Sequence, residues 1–298
     1  MEAINLAILA TTKPGDVIAV ESPTYYGILQ AIESYGRKTL EIATTPQEGI
    51  CLDDLERALK SKRVKAVFAT PNFNNPMGSL MPDEKKRHLV DLITRAEVPL
   101  IEDDVYGDLS FDGRRPRPAK SFDKKDLVLL CSSFSKTLSP GARVGWIVPG
   151  RYLERVIQLK MMNTIATPSL SQMAIADFLE TGGYERHLRR SRSTYALQLH
   201  EHRAAVQKYF PSGTKMSRPM GGFCLWIEMP QGSSALDLYE RAIKEKIIIA
   251  PGPIFSAQSA YDNFIRINCG NPFTDQIDHA LLTLGRLVQT PARSRARA

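Results

Sequence analysis

What the 298-residue sequence lacks narrows its identity first. No apolar run approaches the roughly 20 residues that a membrane-spanning helix needs, so no membrane partner is expected. The cysteines number four, Cys51, Cys131, Cys224 and Cys269, with no C-x-x-C spacing, and Met1 is followed by no secretory signal. A reducing cytoplasm is the compartment that fits. Both G-x-G-x-x-G and G-x-x-x-x-G-K-[ST] are absent, which sets aside nicotinamide and nucleotide enzymes on a similar sheet. Histidines are few, and His200 and His202 stand two apart on an expected helix, where they do not share a face, so no zinc site is expected. Internal repeats are missing too. The formal charge is +7. Part of it sits in the tail 291–298, which reads as a disordered end, and part in the run from Arg186 to Arg192, which reads as the solvated face of a helix; no direct nucleic-acid binding by this chain is expected.

What is present is an alternation of apolar strands and amphipathic helices. Strands are expected near 17–20 and 39–42, in a run ending at Phe68, at Leu100, at Leu127 and over 144–148, with helices starting near Gly27, Leu52 and Pro82. Such a pattern is α/β and doubly wound. A helical stretch over 170–210, broken at Gly182-Gly183, leads to a second lobe, where 221–227 and 264–268 read as strands and 236–246 as a helix, giving a smaller α+β domain. The division is placed at 1–180 and 181–298. At 43% hydrophobic and 24% charged residues, the chain can support two lobes with cores.

Three expected strands end in residues that carry chemistry. The run 127–131 leads into Ser132-Ser133-Phe134-Ser135-Lys136, with Arg143 seven residues beyond the lysine. Hydroxyls and a guanidinium beside an amine suit a lysine that forms a Schiff base with a phosphate-bearing aldehyde cofactor. A solvated loop lysine is the plainer reading. The run 64–69 leads into Thr70-Pro71-Asn72-Phe73-Asn74-Asn75-Pro76-Met77-Gly78, and 98–101 leads into Glu102-Asp103-Asp104-Val105-Tyr106. Asn-Pro-x-Gly is also an ordinary turn signal, and Glu-Asp-Asp could be a charged loop or half a metal site. In an open parallel sheet, ligands sit beyond the carboxyl ends of the strands, so the ordered set outweighs each plain reading.

These motifs resemble the fold-type I, pyridoxal-phosphate-dependent aminotransferases of class I/II, over nearly the whole chain. The resemblance implies a mostly parallel, doubly wound large domain with a smaller C-terminal domain, a homodimer, and pyridoxal 5'-phosphate as cofactor. It implies Lys136 as the Schiff-base lysine and Asp103 as the partner of the pyridinium nitrogen. Tyr106 and Asn75 would bond the ring's phenolic oxygen, and Ser133, Ser135 and Arg143 the phosphate. Tyr25, in Ser22-Pro23-Thr24-Tyr25-Tyr26-Gly27, would stack on the ring, and Arg266 would take the substrate's α-carboxylate.

The chemistry gives each type a reason. An ionised Asp103 keeps the ring nitrogen protonated, so that the ring withdraws electrons from Cα. Lys136 is then free to move a proton as general base and acid, while the planar fork of Arg266 fixes the Cα bond relative to the ring. The Asp-x-x-Tyr spacing selects Asp103 over Asp104, and the neighbour is expected to matter little. An amino group exchanged between an amino acid and a 2-oxo acid is the implied reaction.

The wording from Phe134 to Trp146, the stretch Gly182 to Arg190, and Arg266-Ile267-Asn268-Cys269-Gly270 are similar to the aminotransferase-like domain of MocR/GntR-type regulators, which is fused to a winged-helix DNA-binding domain, and also to the aminoadipate and kynurenine aminotransferase branch. An effector domain with little or no turnover is therefore the alternative. The chain opens within an amphipathic helix, 1–9, with no N-cap before it. The glycine-containing phosphate loop that the family has ahead of this helix is not in the sequence. Weak cofactor binding, slow turnover and association through uncovered apolar surface are the corresponding expectations.

Overall fold

The computed structural model describes residues 1–290; the expected disordered tail lies outside the described residues. The chain opens with α1 (Glu2–Thr11), then β1 (Val17–Ser22), α2 (Tyr26–Ser34), β2 (Lys38–Thr45), β3 (Gly49–Ile50), α3 (Leu52–Lys60), β4 (Val64–Ala69), α4 (Asp83–Ala96), β5 (Leu100–Asp103), β6 (Val128–Ser133) and β7 (Gly145–Val148). These strands form one sheet in the order β3-β2-β1-β4-β5-β6-β7. Pairing is parallel from β2 through β1, β4 and β5 to β6, and antiparallel at the two edges. The mostly parallel, doubly wound sheet is as expected, and the order reverses between β1 and β4, where an open α/β sheet leaves a crevice.

Both faces of the sheet are covered, which is why its strands read as near-continuous apolar runs. Alternate residues of β4 divide between the layers. Ala66 and Phe68 pack under α1 and α2 with Ile4, Ile8, Ile28 and Ile32, whereas Val67 and Ala69 pack under α3 and α4 with Leu55, Leu89 and Ile93. The same alternation puts Leu100 of β5 with the second layer and Ile101 with the first.

Beyond the sheet come α5 (Leu153–Thr164), α6 (Ser169–Glu180) and α7 (Gly183–Tyr209). The break at Gly182-Gly183 is a helix boundary, with Gly182 left-handed at φ 68°. The second lobe is an antiparallel sheet built from β8 (Lys215–Met216), β9 (Cys224–Glu228), β10 (Ala250–Pro251) and β11 (Phe264–Asn268), with α8 (Ala235–Lys244) and α9 (Asp275–Gln289). Leu225, Ile227 and Ile265 face α7, α8 and α9 in one core. The cross-strand pair Trp226 and Arg266 takes the opposite face, toward the first lobe. Contacts join the lobes there: Ser22 Oγ lies 3.1 Å from Tyr261 Oη, and Glu41 accepts hydrogen bonds from Ser256 Oγ and the Ala257 N–H at 3.1 and 2.8 Å.

Two helices, α5 and α9, and the two-residue strands β3, β8 and β10 go beyond what the sequence pattern suggested. The basic run on α7 also divides. Arg186, Arg189 and Arg190 are exposed, but Arg192 is buried and donates to the Asp108 carbonyl at 2.7 Å. His202 is buried, donates Nδ1–H to the Gln198 carbonyl and packs on Phe273. Among the described residues no group of acidic, cysteine or histidine side chains could hold a metal ion, and no helix is long and apolar enough to cross a membrane.

Candidate active site

The exits of β1, β4, β5 and β6 surround a cavity of about 240 Å3 whose walls include Tyr25, Asn75, Asp103, Tyr106, Ser133, Ser135, Lys136 and Arg143. Thr70, Ser132 and two residues of α1, Ala3 and Ile4, also line it. Arg266 comes from the second lobe and reaches the same place through a hydrogen bond from Nη1 to Asn75 Oδ1 at 3.1 Å. All nine sequence-selected side chains are thereby brought together.

Strand alternation decides which carboxylate faces the cavity. Asp103 follows Ile101 by two and shares its side of the sheet, that of α1, whereas Glu102 and Asp104 project to the side of α4. Burial raises Asp103 to about 6, opposed by the Met1 amino group, the Val105 N–H and Lys136, and reinforced by the charge of Asp104. Tyr106, three residues on, is 5% exposed with its ring edge on Phe223. Its phenol is pushed well above the usual range by burial and by the neighbouring Cys224. Lys136 lies in the turn after β6, held by the Leu138 and Ser139 N–H groups bonding to the Phe134 carbonyl, with Phe134 packed on Trp146 and Tyr184. The Ser135 N–H donates to Ser133 Oγ at 3.3 Å, and Arg143, in left-handed backbone at φ 54°, donates Nη1 to the Pro140 carbonyl.

Glycines give room where rings must lie. A Cβ at Gly27 would stand 2.6 Å from the Tyr25 ring, so a larger residue there would displace the aromatic wall. Across the cavity, Arg266 lies 5.3 Å over Phe255, and its Nε is buried without a partner. A half-buried guanidinium whose Nε is buried and unpartnered suits a planar anion such as a carboxylate.

Three residues escaped the sequence reading. Glu21 on β1 is 1% exposed; its Oε2 accepts the Thr70 N–H at 2.8 Å, and its Oε1 and Asn74 Nδ2 are both without partners. Cys224 is buried on the cavity side of β9 beside Tyr106 and Arg266. Asp104, expected to matter little, is 2% exposed and bonded by both oxygens, to Asn72 Nδ2 at 2.8 Å and Arg115 Nη2 at 2.5 Å. The alternation of β5 was the available signal for Asp104; for Glu21 the sequence offered none.

Burial raises Glu21 to about 8, against the lowering by the bond from the Thr70 N–H. A carboxyl raised in the folded state contributes stability that is present below its unfolded value near 4.5 and is lost as pH rises through about 8. Glu21→Gln removes the ionisation. Thermal melting should therefore show the variant about 4 °C or more above the parent at pH 9, with a much smaller difference at pH 4. An equal offset at both pH values would contradict the assignment.

Comparison with known proteins identifies the family. The family described as aminotransferase class I and II matches residues 1–284. An uncharacterized HTH-type transcriptional regulator of Escherichia coli, YjiR, is 42% identical over 96% of this chain and 61% of its own length. The chain thus spans about three-fifths of the length of the first curated relatives it matches. The 2-aminoadipate transaminase of Thermus thermophilus is 31% identical over 97% of this chain and 73% of its own. Among solved structures, the α-aminoadipate aminotransferase LysN of Thermus thermophilus, complexed with N-(5'-phosphopyridoxyl)-L-leucine, superposes with a TM-score of 0.90 at 30% identity, covering 97% of this chain and 75% of that one. The chain belongs to the aminotransferase class I and II family.

Proposed function

We propose that this chain is a pyridoxal-phosphate-dependent aminotransferase that exchanges an amino group between an amino acid and a 2-oxo acid. The observation that carries the reading is the convergence of Lys136, Asp103, Tyr106, Asn75 and Arg143 on one cavity that Arg266 reaches from the other lobe. The donor set fits the group. When bound, pyridoxal phosphate supplies an aldehyde carbon and an electron-withdrawing ring.

Asp103 would hold a proton at the ring nitrogen, Asn75 and Tyr106 would bond the phenolic oxygen, and Tyr25 would cover the ring face. Ser133, Ser135 and Arg143 would hold the phosphate. Lys136 would hold the cofactor's aldehyde carbon and would move a proton at the substrate's Cα. Arg266, with its unpaired Nε, binds the substrate carboxylate and orients the Cα bond. The division of labour we infer follows the two sheets: residues 1–180 hold the cofactor, and the part from 181 to 298 presents Arg266. Four unpaired cysteines support a reducing, cytoplasmic setting.

A second reading rests on the name of the Escherichia coli relative. In it, the chain is the effector portion of a MocR/GntR-type regulator, binding the cofactor through the same lysine with little turnover. Production of a 2-oxo acid from an amino acid with multiple turnovers would separate the first reading from the second.

Borohydride reduction of the protein mixed with pyridoxal phosphate, followed by peptide mapping, should place the adduct on Lys136; a stable adduct mainly on another lysine would sink the assignment. We also propose a homodimer. Leu153, Ile157 and Met161 repeat at i, i+4 along α5 at 52%, 56% and 65% exposure, and Leu170 and Met173 of α6 are exposed too. Ile157→Glu should leave the circular dichroism spectrum unchanged and shift the sedimentation coefficient toward that of a monomer. A parent that sediments as a monomer would contradict the dimer.

A further inference from the structure

Asp104 faces away from the cavity, yet its atoms reach both neighbouring strand exits. Its side chain accepts from Asn72 Nδ2, three residues before Asn75 in the loop after β4. Its backbone N–H donates to the Cys131 carbonyl at 2.9 Å, and its carbonyl accepts from Ser132 Oγ at 3.0 Å, on the strand that leads to Lys136. The second carboxylate oxygen pairs with Arg115, whose Nε also bonds Asp108 Oδ1 at 2.7 Å. Asp108 in turn accepts from Tyr184 Oη at 3.1 Å, so the set extends to α7. Gly107 makes the placement possible, since a Cβ there would stand 2.5 Å from Asp104 Oδ1.

We propose that Asp104, anchored by Arg115, is a positioning residue that holds the exits of β4, β5 and β6 in register and thereby sets where Asn75, Asp103 and Lys136 stand in the cavity. Adjacent residues of a strand project to opposite faces, so a rotation that carries Asp104 outward carries Asp103 with it. A buried carboxylate that loses one charged partner keeps its desolvation cost, which makes such a rotation the favourable response. Catalytic groups respond steeply to displacements of this size. The proposal rests on the aminotransferase reading.

The test compares Asp104→Asn and Arg115→Gln with the parent and with Leu55→Ala, a cavity in the core between β1, α3 and α4 remote from Asp104. Each protein is melted without cofactor, then titrated with pyridoxal phosphate while its visible absorbance is followed against pH. Asp104→Asn and Arg115→Gln should raise the half-saturating concentration about tenfold, the scale of one charge-assisted hydrogen bond. They should also move the pH midpoint of the bound band, while Leu55→Ala lowers the melting temperature and leaves the midpoint unchanged. Arg115 is 36% exposed, so its substitution keeps the test open if Asp104→Asn does not fold. Unchanged affinity and midpoint in the folded variants would overturn the proposal, as would an equal midpoint shift in Leu55→Ala. A parent that forms no adduct with pyridoxal phosphate would overturn the aminotransferase reading, and this proposal with it.

Discussion

The carboxyl end of β5 governs the architecture of the cavity. Three acidic residues follow one another where a central strand leaves a sheet covered on both faces, and a buried carboxylate is costly unless it is bonded or protonated. Each meets the constraint in its own way. Glu102, fully buried, accepts the N–H groups of Ala119 and Lys120 at 2.6 and 2.8 Å, and burial raises it to about 7. Asp104 is held by Asn72 and Arg115. Asp103 alone opens onto the cavity, with Lys136 among the groups that favour its charge. The two flanking carboxylates are thus taken up by protein partners, and the middle one is left facing the cavity.

The second constraint is the junction between the lobes. The small sheet turns Cys224, Trp226 and Arg266 toward the first lobe, and Arg266 ends on Asn75. The Glu41 and Tyr261 contacts hold the same junction farther out, as does the Ser110 to Gly221 bridge near Tyr106. Substrate binding between a lysine on one lobe and an arginine on the other would depend on this junction, because neither lobe carries both.

Much of this was legible in the sequence for a simple reason. Parallel strands buried on both faces write themselves as apolar runs, and cavity-lining residues come directly after them, so the three strand exits could be located from order, whereas the choice of Lys136, Asn75 and Asp103 within them came from the family resemblance. What escaped depends on partners far apart in the chain. The bond between Asn72 and Asp104 spans 32 residues and that between Glu21 and Thr70 spans 49, and no local pattern encodes either. The two-residue strands β3, β8 and β10 exist only through their pairing. The start of α5 carries no side-chain cap, and one flank of the helix is apolar but exposed, so its pattern differs from that of a helix with one buried stripe.

The central claim is that Asp103 serves the ring nitrogen of a cofactor attached to Lys136. Its most direct test is Asp103→Asn, loaded with saturating pyridoxal phosphate, mixed with an amino acid and followed by the change in the cofactor's absorbance in a single turnover. The account predicts that the cofactor still attaches to Lys136 while the rate of the amino-acid-dependent change falls by orders of magnitude, since loss of the charge-assisted bond alone costs about 1.5 to 3 kcal/mol and the ring's electron withdrawal weakens in addition. A rate equal to that of the parent would contradict it.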